Sequence, residues 1–490
     1  MADYNRRHFL QDTLLAAAAM AAGPASLAFA EETEKQSDAA SEKLGVAMVG
    51  VHGQGRGHIA QYLRRKDTEI RYICDPDQTV GQKQAAAIAN KQGRKPKWVA
   101  DMREAFDDQS VDLVSIATPN FWHALAAIWA IQAGKDVYVE KPVSHNVSEG
   151  RRIVDAARKH GRICQTGTQC RSLKGSIDAI QWVHDGKIGD VKLARGLCYK
   201  PRKPLGPKGI YDVPKEVDYN LYLGPAPMAP LTRPKLHYDW HWQSPYGNGD
   251  LGNQGIHQMD LGRWGLGVNQ LSDRVVAYGG RLGPGWDKDA GDTANSQVIV
   301  LEFGDKTLAF EVRNMPSQPL MDTQIGVIFY GTDGYVVLDK YTHGVALDNE
   351  LKVVKQFKGG EFGDHFANFI KAARSRNHED LHADILDGHL SSALCHLGNI
   401  SWTLGKQASL AEVSGWAETY RGNDTATDTV NRFAAHLKQN KVDPDKATVS
   451  LGPALAFDPA SETFVGNEKA NAMLTRDYRK PFVVPPAGDV

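Results

Sequence analysis

Val137-Tyr138-Val139-Glu140-Lys141-Pro142 reads as a buried strand that stops at a charged pair and a proline. Ligands of an open α/β sheet sit outside the carboxyl ends of its strands, so an ammonium at Lys141 is placed to reach both a bound cofactor and a substrate. A lone Lys-Pro is more often a surface lysine closing a strand, and its surroundings must decide. A second group is Gly249-Asp250-Leu251-Gly252-Asn253-Gln254-Gly255-Ile256-His257-Gln258-Met259-Asp260. A helix starting near here lines up Asn253, His257 and Asp260 on one face, by i+4 and i+3 spacing. Histidine takes up and returns protons near neutral pH, and Asn253 or Asp260 is placed to orient its ring. The competing reading is a buried histidine satisfied by Asp260.

Gly50-Val51-His52-Gly53-Gln54-Gly55-Arg56-Gly57 follows an apolar strand at 46–49 and opens a helical pattern through Ile59 and Leu63. Glycines there let the backbone approach a pyrophosphate, and a helix N-terminus supplies oriented N–H donors. Asp75 stands 25 residues after Gly50, at the end of the next strand. An acid in that place accepts hydrogen bonds from ribose hydroxyls and repels a 2′-phosphate, so NAD is favoured over NADP. His52 occupies the position where this pattern usually has its second glycine. The cofactor candidates are Gly50, His52, Gly53, Gln54, Gly55 and Asp75. Thr118, Asn120 and His123 join them because they follow the end of a strand at 111–117, as do Glu140 and Lys141. A structural strand–turn–helix without nucleotide is the alternative.

His237-Tyr238-Asp239-Trp240-His241-Trp242 precedes the histidine segment. Aromatic faces stack on the C–H faces of sugars while nearby polar groups read hydroxyls. Trp240, His241 and Trp242 are therefore substrate candidates, with Asn253, His257 and, from a proline- and glycine-rich stretch, Lys200, Arg202 and Tyr211. A hydrophobic plug between domains explains the aromatics equally well. His237, His241 and His257, taken with Asp250 or Asp260, lack a compact zinc spacing, and no metal is expected.

The elements that must position these groups follow a simple pattern. Strands at 46–49, 69–74, 111–117 and 137–139 alternate with helices, two of them at 121–133 and 148–160, each followed by glycine. That spacing predicts a doubly wound parallel sheet. After residue 165, alternating or β-branched runs at 191–198, 275–279, 297–303, 307–313, 325–330 and 335–338 predict an antiparallel sheet. Helical stretches at 364–375 and 383–404 are expected to pack back on the first domain. The expected fold class is α/β: a Rossmann domain at 44–165, then an α+β domain at 166–405 with a large, mostly antiparallel open sheet. Residues 406–490 form an extension with no functional reading.

A chain of 490 residues is too long for one ordinary core. Its 57 basic and 58 acidic residues carry no basic stripe, so nucleic-acid binding has no electrostatic support. No apolar run reaches the ~18 residues of a membrane span. The five cysteines are odd in number and include no C-x-x-C, so no obligatory disulfide framework is expected. Arg6-Arg7, an apolar stretch at 14–22 and Ala28-Phe29-Ala30 read as a twin-arginine signal peptide over 1–30, with a polar linker at 31–43. The expected location is periplasmic.

Together, the strand and glycine turn, Glu140-Lys141-Pro142 and the glycine-rich run into the His257 helix resemble the Gfo/Idh/MocA family. These are the relatives of glucose–fructose oxidoreductase and inositol dehydrogenase, and the resemblance spans roughly residues 44–405. It implies hydride transfer between a nicotinamide and a sugar or polyol carbon, with Lys141 near the nicotinamide and His257 as the proton-transfer group. It also implies a homo-oligomer, dimer or tetramer, and the leader resembles that of the family's exported branch. Many members carry an aspartate four residues before the histidine. Asn253 stands there instead, and an amide cannot accept a proton. The expected function is an NAD(P)-dependent oxidoreductase acting on a saccharide or polyol. Two alternatives stay open: a redox-neutral enzyme that retains its NAD, and a non-catalytic sugar-binding protein on the same fold.

Overall fold

The computed structural model describes residues 43–420 and 423–490. The leader and linker expected at 1–43 lie, but for Lys43, outside the described residues. Six strands form the first sheet: β1 (Leu44–Val49), β2 (Thr68–Cys74), β3 (Lys97–Val99), β4 (Leu113–Ile116), β5 (Asp136–Val139) and β6 (Cys164–Thr166). All pair in parallel, in the order β3-β2-β1-β4-β5-β6. The order reverses between β1 and β4, and a crevice opens at such a switch point.

β5 shows why its residues make a strand buried on both faces. Val137 and Val139 pack with Phe121 and Ile128 of the helix Asn120–Gln132. Tyr138 points the other way and stacks on Phe366 of the helix Phe362–Ser375, with ring centroids 4.6 Å apart. The first of the two late helices thus lies on the first sheet. The second, Ile385–Thr403, places Ile385 in that core and Leu390, Leu394 and Leu397 in the next. β3 has three residues, too few for a period of two to be read.

The second sheet contains β7 (Val191–Tyr199), β8 (Arg274–Gly280), β9 (Ser296–Phe303), β10 (Lys306–Arg313), β11 (Ile325–Gly331), β12 (Tyr335–Lys340), β13 (His343–Leu347) and β14 (Val353–Lys358). Its path runs β14-β13-β12-β11-β7-β10-β9-β8 and continues through β16 (Thr448–Leu451) to β15 (Lys406–Ser409). β7 and β10 pair in parallel and every other pair along this path is antiparallel. Its inner face packs on the helices Gly255–Gly265 and Ile385–Thr403 through Ile256, Met259, Ile299, Phe310 and Leu394.

The C-terminal extension is not a separate body. β15 and β16 lengthen the second sheet, and the helices Leu410–Thr419 and Asn423–Gln439 cover Val276, Tyr278, Val298 and Val300 on its outer face. Its last residues return to the first domain, where Phe482 and Val484 enter the core beneath Trp122. Among the described residues no helix is long and apolar enough to cross a membrane.

Candidate active site

Glu140 and Lys141 leave β5 where the sheet ends, and three contacts fix the turn. The Glu140 carboxylate lies 3.1 Å from His58 Nε2, accepts from Gln54 Nε2 at 3.2 Å and accepts from the Lys141 backbone N–H at 3.1 Å. Burial alone would raise this carboxyl, but the His58 hydrogen bond and the Lys141 charge outweigh it and hold it down at about 2. His123 places its ring between the carbonyls of Pro142, at 2.6 Å, and Thr118, at 2.8 Å. Burial lowers its pKa, and a neutral imidazole can donate to one of these carbonyls at a time. From this turn Lys141 Nζ donates to the backbone carbonyl of Asn253 at 2.8 Å. Desolvation lowers the Lys141 pKa, against the attraction of Glu140 and Asp250.

His257 stands in the first turn of the helix Gly255–Gly265. That helix lies close against the second sheet because it is stripped of side chains there: a Cβ on Gly265 would meet the Phe329 ring at 2.2 Å. His257 is buried, its Nδ1 has no hydrogen-bond partner, and its ring lies 5.1 Å from that of Tyr341. Desolvation first, then the Lys141 charge, push its pKa well below 6.5, so the ring is neutral and ready to accept a proton. Gln254 links the neighbouring groups: it accepts from Lys200 Nζ at 2.7 Å and donates to the Tyr341 hydroxyl at 2.6 Å.

These groups line one cleft of about 520 Å³. Gly50, His52, Gly53, Gln54 and Asp75 border one part, and Thr118, Asn120, His123, Glu140 and Lys141 are also in its wall. Asn253, His257, Lys200, Trp240 and His241 complete it from the second domain. His241 stacks on Trp240 at 3.6 Å, and burial drives its pKa down to about 3. Asn253 offers Lys141 its backbone carbonyl, while its amide reaches Asp250 rather than His257.

Five expected site residues stand elsewhere. Asp260 shares the helix face but points into the core, where it accepts from Arg171 at 2.8 and 3.0 Å and from Ser391 at 2.7 Å. Its hydrogen bonds go to these groups and not to the His257 ring. Arg202 is held bidentately by Asp250 at 2.7 and 2.8 Å and stacks over Trp242, whose indole also donates to Asp250. Neither Arg202 nor Trp242 is part of the cleft wall. Tyr211 turns its hydroxyl to the Pro207 carbonyl, away from the cleft. Gly55 is a packing glycine, since a Cβ there would lie 2.0 Å from the Gly50 carbonyl.

Gln254, Tyr341, Gln169 and Tyr222 line the cleft without having been expected there, and so does His237, which was read only in the aromatic run and among the histidines that lack a zinc spacing. Gln254 is adjacent to Asn253, but an amide carries no acid–base signal. Tyr341 sits in the turn between β12 and β13, and nothing local ties that turn to His257.

The nucleotide part of the cleft fits a dinucleotide. Gly50 has φ +77°, and a Cβ there would meet the backbone of Ala117 and Thr118 at 2.8 Å. A Cβ on Gly53 would meet nothing within 4 Å, which leaves room for a phosphate at the helix N-terminus. Thr118 Oγ1 is buried without a partner in the cleft wall. Asp75 accepts from Val51 N–H at 2.9 Å and Asp77 N–H at 3.0 Å, and burial raises its pKa to about 6. It shapes the turn and keeps lone pairs for a ribose.

Residues 44–168 match the Gfo/Idh/MocA model for an oxidoreductase family NAD-binding Rossmann fold, and residues 204–281 match the same family's C-terminal α/β domain. A glycosyl hydrolase family 109 protein of Shewanella pealeana is 28% identical over 201 residues, 38% of this chain and 44% of that protein. An α-N-acetylgalactosaminidase of Shewanella oneidensis is 27% identical over 210 residues, 39% of this chain and 45% of that protein. The chain therefore spans less than half the length of these curated relatives. Among solved structures, levoglucosan dehydrogenase in complex with NADH and levoglucosan superimposes with a TM-score of 0.55 at 19% identity, covering 72% of this chain and 95% of that one. The WlbA dehydrogenase of Bordetella pertussis, in complex with NADH and UDP-GlcNAcA, gives 0.53 at 20% identity, covering 72% and 94%. These two likenesses are likenesses of fold. A parallel switch-point sheet carrying Glu140-Lys141-Pro142 and an antiparallel partner domain thus go with matches to the NAD-binding and the C-terminal domain models of the Gfo/Idh/MocA oxidoreductase family, over residues 44–168 and 204–281.

Proposed function

We propose that the protein transfers a hydride between NAD and a hydroxyl-bearing carbon of a saccharide or polyol. One observation carries this reading: the Lys141 ammonium is tied at 2.8 Å to the Asn253 carbonyl, which joins the end of β5 to the segment that carries His257. An acid and a base from different domains thus border one cleft. When bound, NAD supplies the hydride acceptor. Gly50, Gly53, Thr118 and Asp75 are the residues that would hold it. His257, kept neutral by burial and by Lys141, takes the hydroxyl proton. Lys141 donates a hydrogen bond to the oxygen as it becomes a carbonyl, while Glu140, anchored by His58 and Gln54, preserves the charge balance. Trp240 and His241 offer a stacked apolar face to a sugar ring, and Lys200 with Gln254 offers polar contacts to its hydroxyls.

Purified protein would be assayed with NAD against a panel of saccharides and polyols, reading reduced cofactor and product mass. Turnover that survives Lys141→Met and His257→Ala unchanged sinks the assignment. A second reading is supported by the two Shewanella relatives: the hydride returns within one turnover, and oxidation serves glycoside cleavage. It predicts product without net reduced cofactor, and solvent deuterium at the carbon next to the transiently oxidised one. The Arg6-Arg7 leader supports export to the periplasm after folding. A reporter fused behind residues 1–30 that stays in the cytoplasm would refute it.

A further inference from the structure

His52 breaks the glycine pattern of the nucleotide turn, and the fold gives it a partner. Its ring stacks on His237 with centroids 4.5 Å apart and planes 12° from parallel. His237 Nε2 lies 2.9 Å from Asp77 Oδ2, and Asp77 Oδ1 caps the helix that follows β2 by accepting from Val80 N–H at 3.0 Å. One ring stack and one hydrogen bond therefore join the β1 turn, the end of β2 and a loop of the second domain. Both histidines line the cleft beside Asp75.

The loop, residues 200–248, is pinned to the first domain at further points. Gln78 N–H donates to the Glu216 carbonyl at 3.0 Å, and Asp218 N–H donates to the Pro76 carbonyl at 2.9 Å. Trp122 Nε1 donates to the carbonyls of Leu221 and Tyr222, each at 3.0 Å. The Tyr222 ring meets His237 edge-on at 6.2 Å. The loop thus walls the cleft from Asp75 to Trp240.

We propose that the His52–His237–Asp77 contact latches this loop across the nucleotide end of the cleft, so that bound NAD exchanges slowly and is retained between turnovers. The inference rests on the reading that the cleft binds NAD. His52 and His237 are then retention residues, and a glycine at position 52 would leave the mouth open. A retained cofactor suits a reaction that returns its hydride to substrate.

The test follows exchange rather than activity. Protein carrying NAD is mixed with excess isotopically labelled NAD, and native mass spectrometry reads the labelled fraction of the complex with time. The aromatic pair and the hydrogen bond together set an expected acceleration of about tenfold for His237→Ala, and the aromatic pair alone about fivefold for His52→Gly. The double variant should be no faster than the faster single one, because both remove the same latch. Single variants that exchange at the wild-type rate overturn the latch, as does wild-type exchange complete within the mixing time. Loss of all NAD binding in the variants also overturns it, since the rings would then be ligands. A wild-type protein that takes up no NAD refutes the underlying reading instead.

Discussion

Gly53 and Gly55 look alike in the sequence, yet the structure assigns them opposite duties, and alanine at each should separate them. At Gly55 the new Cβ would lie 2.0 Å from the Gly50 carbonyl oxygen and 2.9 Å from its carbon. Ordinary contact needs about 3.2 Å, so the turn must open by more than 1 Å. It cannot do so cheaply. Gly50 sits at φ +77° against the Ala117–Thr118 backbone, and the next residue, Val51, donates to Asp75. Overpacking against backbone costs about 3 kcal/mol, and displacing Val51 N–H from the buried Asp75 carboxylate adds about 1–3 kcal/mol. Gly55→Ala should therefore lower the denaturant midpoint markedly. At Gly53 the Cβ meets nothing, and replacing glycine in a helix gains up to about 1 kcal/mol, so Gly53→Ala should keep or raise stability. Its methyl group would occupy the space left for a phosphate, and NAD affinity should fall at least tenfold. Chemical denaturation and calorimetric NAD titration read the two effects. A Gly55→Ala protein as stable as wild type, or a Gly53→Ala protein that binds NAD at full strength, would refute the division of labour.

Other outcomes follow from the same geometry. Lys141→Met and His257→Ala should each cut kcat/KM by about 10²–10⁴-fold, and Lys141→Met should also move the acid limb of the pH profile upward, because the Lys141 charge helps depress His257; an unmoved limb contradicts the coupling. In the wild type the acid limb should lie below pH 6.5, where His257 becomes protonated, and the alkaline limb below 10.5, where Lys141 loses its proton. Asp260→Ala removes the carboxylate that Arg171 and Ser391 bond, leaving Asp387 as the carboxylate beside Arg171 and Arg263, and should cost about 3 kcal/mol of stability, with the folded fraction keeping its pH profile; a shifted profile would return Asp260 to the proton path. His365 and His396 are buried, and desolvation lowers their pKa values to about 4 and about 3, so the unfolded chain binds protons more tightly. Their stabilising contribution is complete above pH 6.5 and is lost as pH falls, by about 2 kcal/mol each at pH 5. Unfolding midpoints that do not change between neutral pH and pH 5 would exclude it.

Much of the site was legible because it lies at the ends of regular elements. Lys141 was placed by the three-residue apolar run Val137–Val139 and a proline, and Asp75 by the end of β2. Gly50 and Gly53 were marked by a helix start, and His257 by helical spacing from a glycine-rich run. Asp260 was misjudged because equal spacing on a helix does not reveal which neighbour a carboxylate meets. A buried arginine from another element, Arg171, took it. Arg202 and Trp242 were drawn away in the same manner by Asp250, whose buried charge needed partners. Tyr341 was invisible because it reaches the cleft through a turn of the second sheet, and His237, named only in the aromatic run and among histidines without zinc spacing, gave no sign of its stack on His52, 185 positions away.

The sequence by itself determined the two sheets, their parallel and mostly antiparallel characters and the candidates for the acid and the base, because these depend on local periodicity and on side-chain chemistry. Tertiary structure alone decided which groups share the cleft, the neutrality of His257, the partner of His52 and the fate of the C-terminal extension. Those outcomes depend on desolvation and on contacts between residues hundreds of positions apart, which no local pattern encodes.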